Sequence, residues 1–132
     1  MNKTKLSLVI GNKIYDVEFE SDCIIAHEIL TNLPFSGEVV NVQGEIFYLI
    51  NTEIPYSPCE GREVFEVGDI VYWKSLSGDM TAIALFYGNT VYENGNQPRG
   101  VSPCIKIGSI KELNIDDMHN MNNGEVIKLI KR

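Results

Sequence analysis

One carboxylate and three aromatic side chains occupy apolar runs of the sequence in a pattern that could form a ligand site. Trp73, the only tryptophan, closes the run GDIVYW, and Phe86 lies near the end of TAIALFYG. Glu45 and Phe47 alternate in GEIFYLI. Because alternate residues of a strand share a face, Glu45 and Phe47 can lie side by side on one surface. We expect these four residues to line a groove that binds a small molecule or a short peptide.

Three further residues are candidates for the same site. Gln43 precedes Glu45 by two positions and shares its predicted face. Arg99, in the loop sequence NQPRGVSP, could pair with Glu45 or with an anionic ligand, although an exposed loop arginine would look the same in sequence. Ser102 has no histidine near it in sequence that could activate it as a nucleophile.

The sequence carries none of the motifs that mark the common catalytic sites. G-x-S-x-G, a phosphate-binding loop and H-E-x-x-H are all absent. Cys23 and His27 are spaced i, i+4 in a predicted helix, but two ligands do not make a metal site. We therefore predict neither a metal nor a cofactor, and we leave open whether the protein is an enzyme.

Composition and charge narrow the class of protein and its partners. The length of 132 residues predicts a single domain, and three cysteines without a C-x-x-C pair are typical of a cytoplasmic protein. The net charge of −7 disfavours nucleic acid, whose phosphates such a surface repels. No apolar stretch approaches the roughly 20 residues that span a bilayer, so we predict no membrane segment. The oligomeric state stays open.

Residues typical of β structure dominate the chain, and turn residues divide them into eight predicted strands. Gly11-Asn12 and Gln43-Gly44 mark two hairpin turns, since these residues tolerate positive φ. A helix is predicted for SDCIIAHEILTNLP, where apolar residues recur every three or four positions, and a short second one near KELNIDDM. The predicted strands are residues 5–10, 13–19, 37–42, 45–50, 64–73, 80–88, 102–110 and 125–131.

Strand alternation also predicts which side chains fill the core. In the strand pair that contains GDIVYW and TAIALFYG, we expect Ile70, Ile83 and Leu85 to point inward, because a small barrel needs an aliphatic interior. Trp73 and Phe86 would then face the groove. A second interpretation is equally open for Trp73, in which it is a core residue buried beneath the loop NTEIPYSPCEGRE.

The order of these elements, together with VGDIVYW, ALFYGNT and IKIGSI, resembles the cyclophilin barrel. The similarity is greatest to the small bacterial and archaeal cyclophilin-like proteins, and it extends over nearly the whole chain. It implies a mainly β fold, a closed eight-stranded antiparallel barrel with one main helix and a short second helix. It also makes the turn Gln43-Gly44 similar to the cyclophilin Gln-Gly pair.

The sequence departs from the cyclophilin pattern at the residues that the family uses for catalysis. The resemblance implies an arginine on the strand after the first helix, but that strand is FSGEVVNV, and the arginines are Arg62, Arg99 and Arg132. The strand expected to carry a pocket histidine is VSPCIKI. We therefore expect ligand binding without the usual isomerase arginine. The alternative is a peptidyl-prolyl isomerase with a rearranged site, in which Arg99 replaces that arginine.

Overall fold

The computed structural model describes residues 4–19, 24–50, 62–75, 80–88 and 99–131. This part of the chain forms strands and two short helices, in the order β1 (Thr4–Ile10), β2 (Lys13–Phe19), α1 (Ile24–Thr31), β3 (Phe35–Glu38), β4 (Val40–Val42), β5 (Glu45–Ile50), β6 (Arg62–Val64), β7 (Asp69–Lys74), β8 (Thr81–Phe86), β9 (Arg99–Ser109), α2 (Ile115–His119) and β10 (Val126–Lys131). Both predicted helices are confirmed, although Cys23 lies outside the described residues. Neither described helix is long and apolar enough to span a membrane.

The ladders between described strands are antiparallel, and they confirm the mainly β fold. The strand order is β3-β10-β1-β2-β9-β7-β8-β5-β4, and β6 pairs with β9. Both predicted hairpins are confirmed, because β1 pairs with β2 and β4 pairs with β5. Gly11 and Gly44, in the two turns, have φ angles of 59° and 78°, a region that glycine adopts without steric cost.

The closed eight-stranded barrel that the resemblance implied is not confirmed. The strand order ends at β3 and at β4, and within the described ranges no ladder joins the two ends. The end strand β3 nevertheless comes close to β5, the strand next to the other end, since a Cβ added to Gly37 in β3 would lie 3.0 Å from the carbonyl oxygen of Leu49 in β5. The sheet therefore bends until β3 and β5 are adjacent, but among the described strands no hydrogen-bonded ladder closes it.

Two of the eight predicted strands are each divided in the structure, which gives ten strands in the described part of the chain. Val39 separates β3 from β4 and exchanges backbone hydrogen bonds with residues 124–125, so β3 pairs with β10 whereas β4 pairs with β5. Gly68 separates β6 from β7. Its N–H donates to the carbonyl of Phe86 at 2.7 Å, and its carbonyl accepts from the N–H of Ile110 at 2.8 Å.

The main core lies on one face of the sheet and is filled by alternate residues of its strands. Ile70, Ile83 and Leu85 belong to it, each at most 2% exposed, which confirms the predicted inward direction of these side chains. Ile29 of α1 and Met118 of α2 are buried in the same cluster, so both helices pack against this face. Each such aliphatic side chain contributes about 1.5–3 kcal/mol through burial.

Gly68→Ala is expected to destabilise the fold by more than about 2 kcal/mol. The φ angle of Gly68 is +96°, and an added Cβ would collide with the carbonyl oxygen of Ile110. Gly124 is a matched control, because its φ is +89° but nothing lies within 4 Å of an added Cβ. Gly124→Ala should lower the free energy of unfolding by only about 1 kcal/mol, because it adds backbone strain without a collision. Urea denaturation compares the two, and equal losses would show that the approach of Gly68 to Ile110 is not rigid.

Tyr72→Phe is expected to stabilise the protein by about 1 kcal/mol. The Tyr72 hydroxyl is buried in the main core without a hydrogen-bond partner in the described structure, and burial raises its pKa. Tyr87→Phe is the control, because the Tyr87 hydroxyl lies 2.7 Å from Oδ1 of Asn41 and 2.9 Å from the carbonyl oxygen of Val42. Tyr87→Phe should lower the free energy of unfolding by about 1 kcal/mol, because it removes this hydrogen bonding. Thermal unfolding measures both, and destabilisation by Tyr72→Phe would contradict the prediction.

Candidate functional site

A groove of about 380 Å³ lies on the face of β5, β8 and β7 that is turned away from the main core. The strand register sets Phe47 of β5 beside Ala84 of β8, and Ala84 beside Val71 of β7. Glu45 is the partner of Phe86 at one end of the same strand pair. Because residues two apart along a strand share a face, these side chains line one continuous surface.

Small residues on the middle strand make this surface concave. Ala82 and Ala84 of β8 form the floor, and the larger side chains of Leu49 and Trp73 flank Ala82 on the neighbouring strands. Leu49 is 49% exposed, and Met80, which precedes β8, is 46% exposed. The groove therefore has a floor of methyl groups and an apolar rim that faces solvent.

A second hydrophobic cluster lies on the same face of the sheet as the groove and includes part of its lining. Phe65, which follows β6, stacks on Phe86 with ring centroids 5.1 Å apart and an interplanar angle of 15°. Val71 and Cys104 are buried in the same cluster, and the half-buried ring of Trp73 packs against it. Such packing holds the groove residues in fixed rotamers.

Glu45 is the one charged residue among the described residues that line the groove. It follows the turn of the β4–β5 hairpin, and this turn is tied to the end of β8. The carbonyl oxygen of Gly44 accepts from the N–H of Tyr87 at 2.8 Å and from the N–H of Gly88 at 3.2 Å. The backbone of Glu45 is thus fixed on both sides, by its ladder with β8 and by the turn before it.

In the described part of the chain, the carboxylate of Glu45 is partly buried without a group that balances its charge. Burial raises its pKa from 4.5 to about 7, because desolvation disfavours the charged form. Within the described residues it has neither a hydrogen bond nor a salt bridge. Asp69 shows the usual alternative, since its Oδ1 lies 3.3 Å from Nζ of Lys106 and its Oδ2 accepts from the N–H of Glu66 at 2.9 Å.

Four of the seven predicted site residues come together in this groove, namely Glu45, Phe47, Trp73 and Phe86. Phe86 is 1% exposed and belongs to the floor. Trp73 lines the groove as the first interpretation expected, and its half-buried ring also packs on the second cluster. Its burial beneath the loop NTEIPYSPCEGRE stays untested, because residues 51–61 lie outside the described structure. The role of these four residues in ligand binding stays a prediction.

The other three predicted residues are not among those that line the groove in the described structure. Gln43 is exposed in the hairpin turn. Arg99 does not lie in a loop, as the sequence suggested, but opens β9 opposite Val64. Ser102 lies further along the same strand. The side chains of Arg99 and Ser102 lie outside the described part of the structure, so their predicted roles remain untested.

Six groove residues were not predicted from the sequence, namely Leu49, Val71, Met80, Ala82, Ala84 and Cys104. Alternation with Phe47 was a sufficient signal for Leu49. The alanines share a strand face with Phe86, but only their pairing with larger neighbours makes them a floor. Cys104 comes from β9, which is distant from β5 and β7 in the sequence, so no local pattern indicated that it lines the groove.

A sequence model of the cyclophilin-like family matches residues 4–130. The chain belongs to the cyclophilin-like family. The resemblance that the motifs GDIVYW and IKIGSI indicated is thereby confirmed over nearly the whole sequence. A comparison with curated proteins found no match for this cyclophilin-like chain.

The structure of this cyclophilin-like protein is similar to the solution structure of a hypothetical protein from Archaeoglobus fulgidus. The TM-score is 0.77, and the aligned region covers 98% of this chain and 95% of the archaeal one. The two sequences are 21% identical, so the similarity shows a shared fold. It carries no information about a ligand, since a fold hosts many functions.

Glu45→Gln is expected to stabilise this cyclophilin-like protein at high pH and to have little effect on its stability at low pH. The pKa of Glu45 is raised from 4.5 to about 7 in the folded protein, so the folded state binds its proton more tightly than the unfolded state. Wild-type stability should therefore fall as pH rises through this window. The gain from glutamine should grow over the same window and reach about 1–3 kcal/mol above it.

Thermal unfolding between about pH 4 and about pH 8 measures this gain. Glu38→Gln is the matched control, because Glu38 is an exposed residue of β3 outside the groove. A gain from Glu45→Gln that is the same at both ends of the pH range would contradict the prediction.

Proposed function

We propose that this cyclophilin-like protein binds a small, largely apolar molecule in the groove on β5, β8 and β7. The observation that carries the proposal is an apolar depression of about 380 Å³ whose rim exposes Leu49 and Met80 to solvent. Small-molecule sites are commonly concave, mostly apolar and about 300–1,000 Å³ in volume. Exposed apolar surface of this kind is typical of an interaction site.

The rigidity of the groove supports the proposal. Its floor belongs to β8, a strand whose residues are all buried and which is paired on both sides. The stack of Phe65 on Phe86, on the same face of the sheet, packs against that floor. A groove that is preformed in this way avoids the entropy cost of ordering its side chains when a ligand binds.

Prolyl isomerisation is the second function that the family resemblance raised, and it stays a prediction. Catalysis of this reaction depends on polarising and desolvating the amide, for which the family uses an arginine. None of the described groove-lining residues carries a positive charge. Ligand binding is therefore better supported than isomerisation, for which Arg99 remains the candidate group.

Trp73→Ala is expected to weaken the binding of a neutral aromatic probe, 2-(2-naphthyl)ethanol, by at least about tenfold, because the ring forms one wall of the groove. In the wild-type protein, the indole N–H signal of the single tryptophan should shift as the probe is added. Ligand-observed NMR measures binding to the variant, which lacks this indole. An indole signal that does not respond to the probe, or equal affinity of both proteins, would overturn the proposed function.

Val126→Ala is the control for this experiment. Val126 is 54% exposed on β10, outside the groove, so its truncation removes apolar surface without changing the proposed site. Circular dichroism checks that each variant is folded. If Trp73→Ala unfolds, its ring is needed for the core, and Leu49→Ala at the exposed rim tests the groove with the same probe.

A further inference from the structure

The groove carries a single charge at one end, and this charge narrows the class of ligand. Glu45 is the cross-strand partner of Phe86, and it shares a strand face with Phe47 two residues further on. The remaining described residues of the lining are apolar. A ligand that fits both parts of this surface needs an apolar body and one group that complements a carboxylate.

The described structure contains no partner for the Glu45 carboxylate. Neither a lysine nor an arginine pairs with it in this part of the chain, and no N–H or O–H donates to it. Asp69, by contrast, has both kinds of partner, Lys106 at 3.3 Å and the N–H of Glu66 at 2.9 Å. An uncompensated, half-buried carboxylate costs free energy, and a ligand that brings a positive charge and N–H donors recovers that cost on binding.

The two described strands that pair with β5 supply no competing charge. Neither β4 nor β8 carries an ionisable residue. Tyr87, which follows β8, is the described ionisable group whose pKa responds to Glu45. Burial is the main cause that raises the pKa of Tyr87, and the Glu45 carboxylate adds to it. The Tyr87 hydroxyl forms hydrogen bonds with Asn41 and Val42 rather than with Glu45, so the carboxylate can accept a hydrogen bond from a ligand.

We propose that the groove binds an arylalkylamine, a small molecule with an aromatic body and one protonated amine. This inference rests on the proposed function and adds the chemistry of the ligand. The aromatic body lies on Ala82 and Ala84, and the ammonium group donates to Glu45 in a charge-assisted hydrogen bond. The half-buried ring of Phe47 borders that end of the groove, and an aromatic ring favours a cation over an anion. An anionic ligand would be repelled by Glu45 and by the net charge of −7.

A matched pair of probes tests the inference. The probes 2-(2-naphthyl)ethylamine and 2-(2-naphthyl)ethanol have the same ring and chain and differ in the ammonium or hydroxyl group. At about pH 8, where Glu45 is ionised, the wild-type protein should bind the amine at least about tenfold more tightly than the alcohol, as followed by the Trp73 indole signal. Glu45→Gln should bring this ratio close to one. Glu38→Gln removes an exposed negative charge outside the groove and should keep the preference.

A carbon-detected NMR titration of the Glu45 carboxyl gives an independent readout. The bound ammonium stabilises the charged carboxylate, so the amine should lower the pKa of Glu45, whereas the alcohol should not. A pKa of Glu45 that is unchanged by a bound amine would overturn the inference, since the ammonium would then lie elsewhere.

The remaining outcomes separate the inference from the proposed function. If neither probe binds, the proposed function fails. If both probes bind wild-type protein equally, the groove is a ligand site but the amine assignment is overturned. Retention of the preference by Glu45→Gln would also overturn it. Tighter binding of a blocked peptide, acetyl-Ala-Phe-amide, than of the amine would make a peptide the occupant and exclude the small-molecule assignment.

Discussion

The antiparallel register that holds β8 between β5 and β7 is the constraint on which both the core and the groove depend. It directs Ile83 and Leu85 into the main core and leaves Ala82 and Ala84 on the opposite face. A slip of one residue would exchange the two sets, because side chains alternate along a strand. The core would then contain methyl groups where it needs branched side chains. The packing of the core thus determines the shape of the groove.

Glu45 is the position at which stability and the proposed function compete. Its surroundings disfavour a charge, and in the described structure no partner compensates for this. Buried charges without a partner occur mostly at functional sites, where a ligand can provide the missing partner. The contrast with Asp69, which is buried but paired with Lys106, shows that this fold can stabilise a carboxylate where its role is structural.

Membership of the cyclophilin-like family accounts for the architecture and leaves the chemistry to particular residues. The archaeal neighbour shares the fold at 21% sequence identity, which fits a sheet defined by apolar alternation rather than by individual side chains. The arginine that isomerases carry after their first helix has no counterpart in β3 or β4, whose sequences are FSGE and VNV. The groove residues are therefore a better guide to function than the fold.

The sequence by itself determined the mainly β class, both hairpins, both helices and the inward direction of Ile70, Ile83 and Leu85, because turn residues and side-chain alternation are local signals. It also identified Glu45, Phe47, Trp73 and Phe86 as candidates for one surface. Only the tertiary structure decided that no ladder closes the sheet among the described strands and that two predicted strands are each divided. These divisions depend on backbone hydrogen bonds of Val39 and Gly68 to distant segments, which no local pattern encodes. The desolvation of Glu45 and the alanine floor likewise arise from neighbours that become adjacent only when β5, β8 and β7 pair.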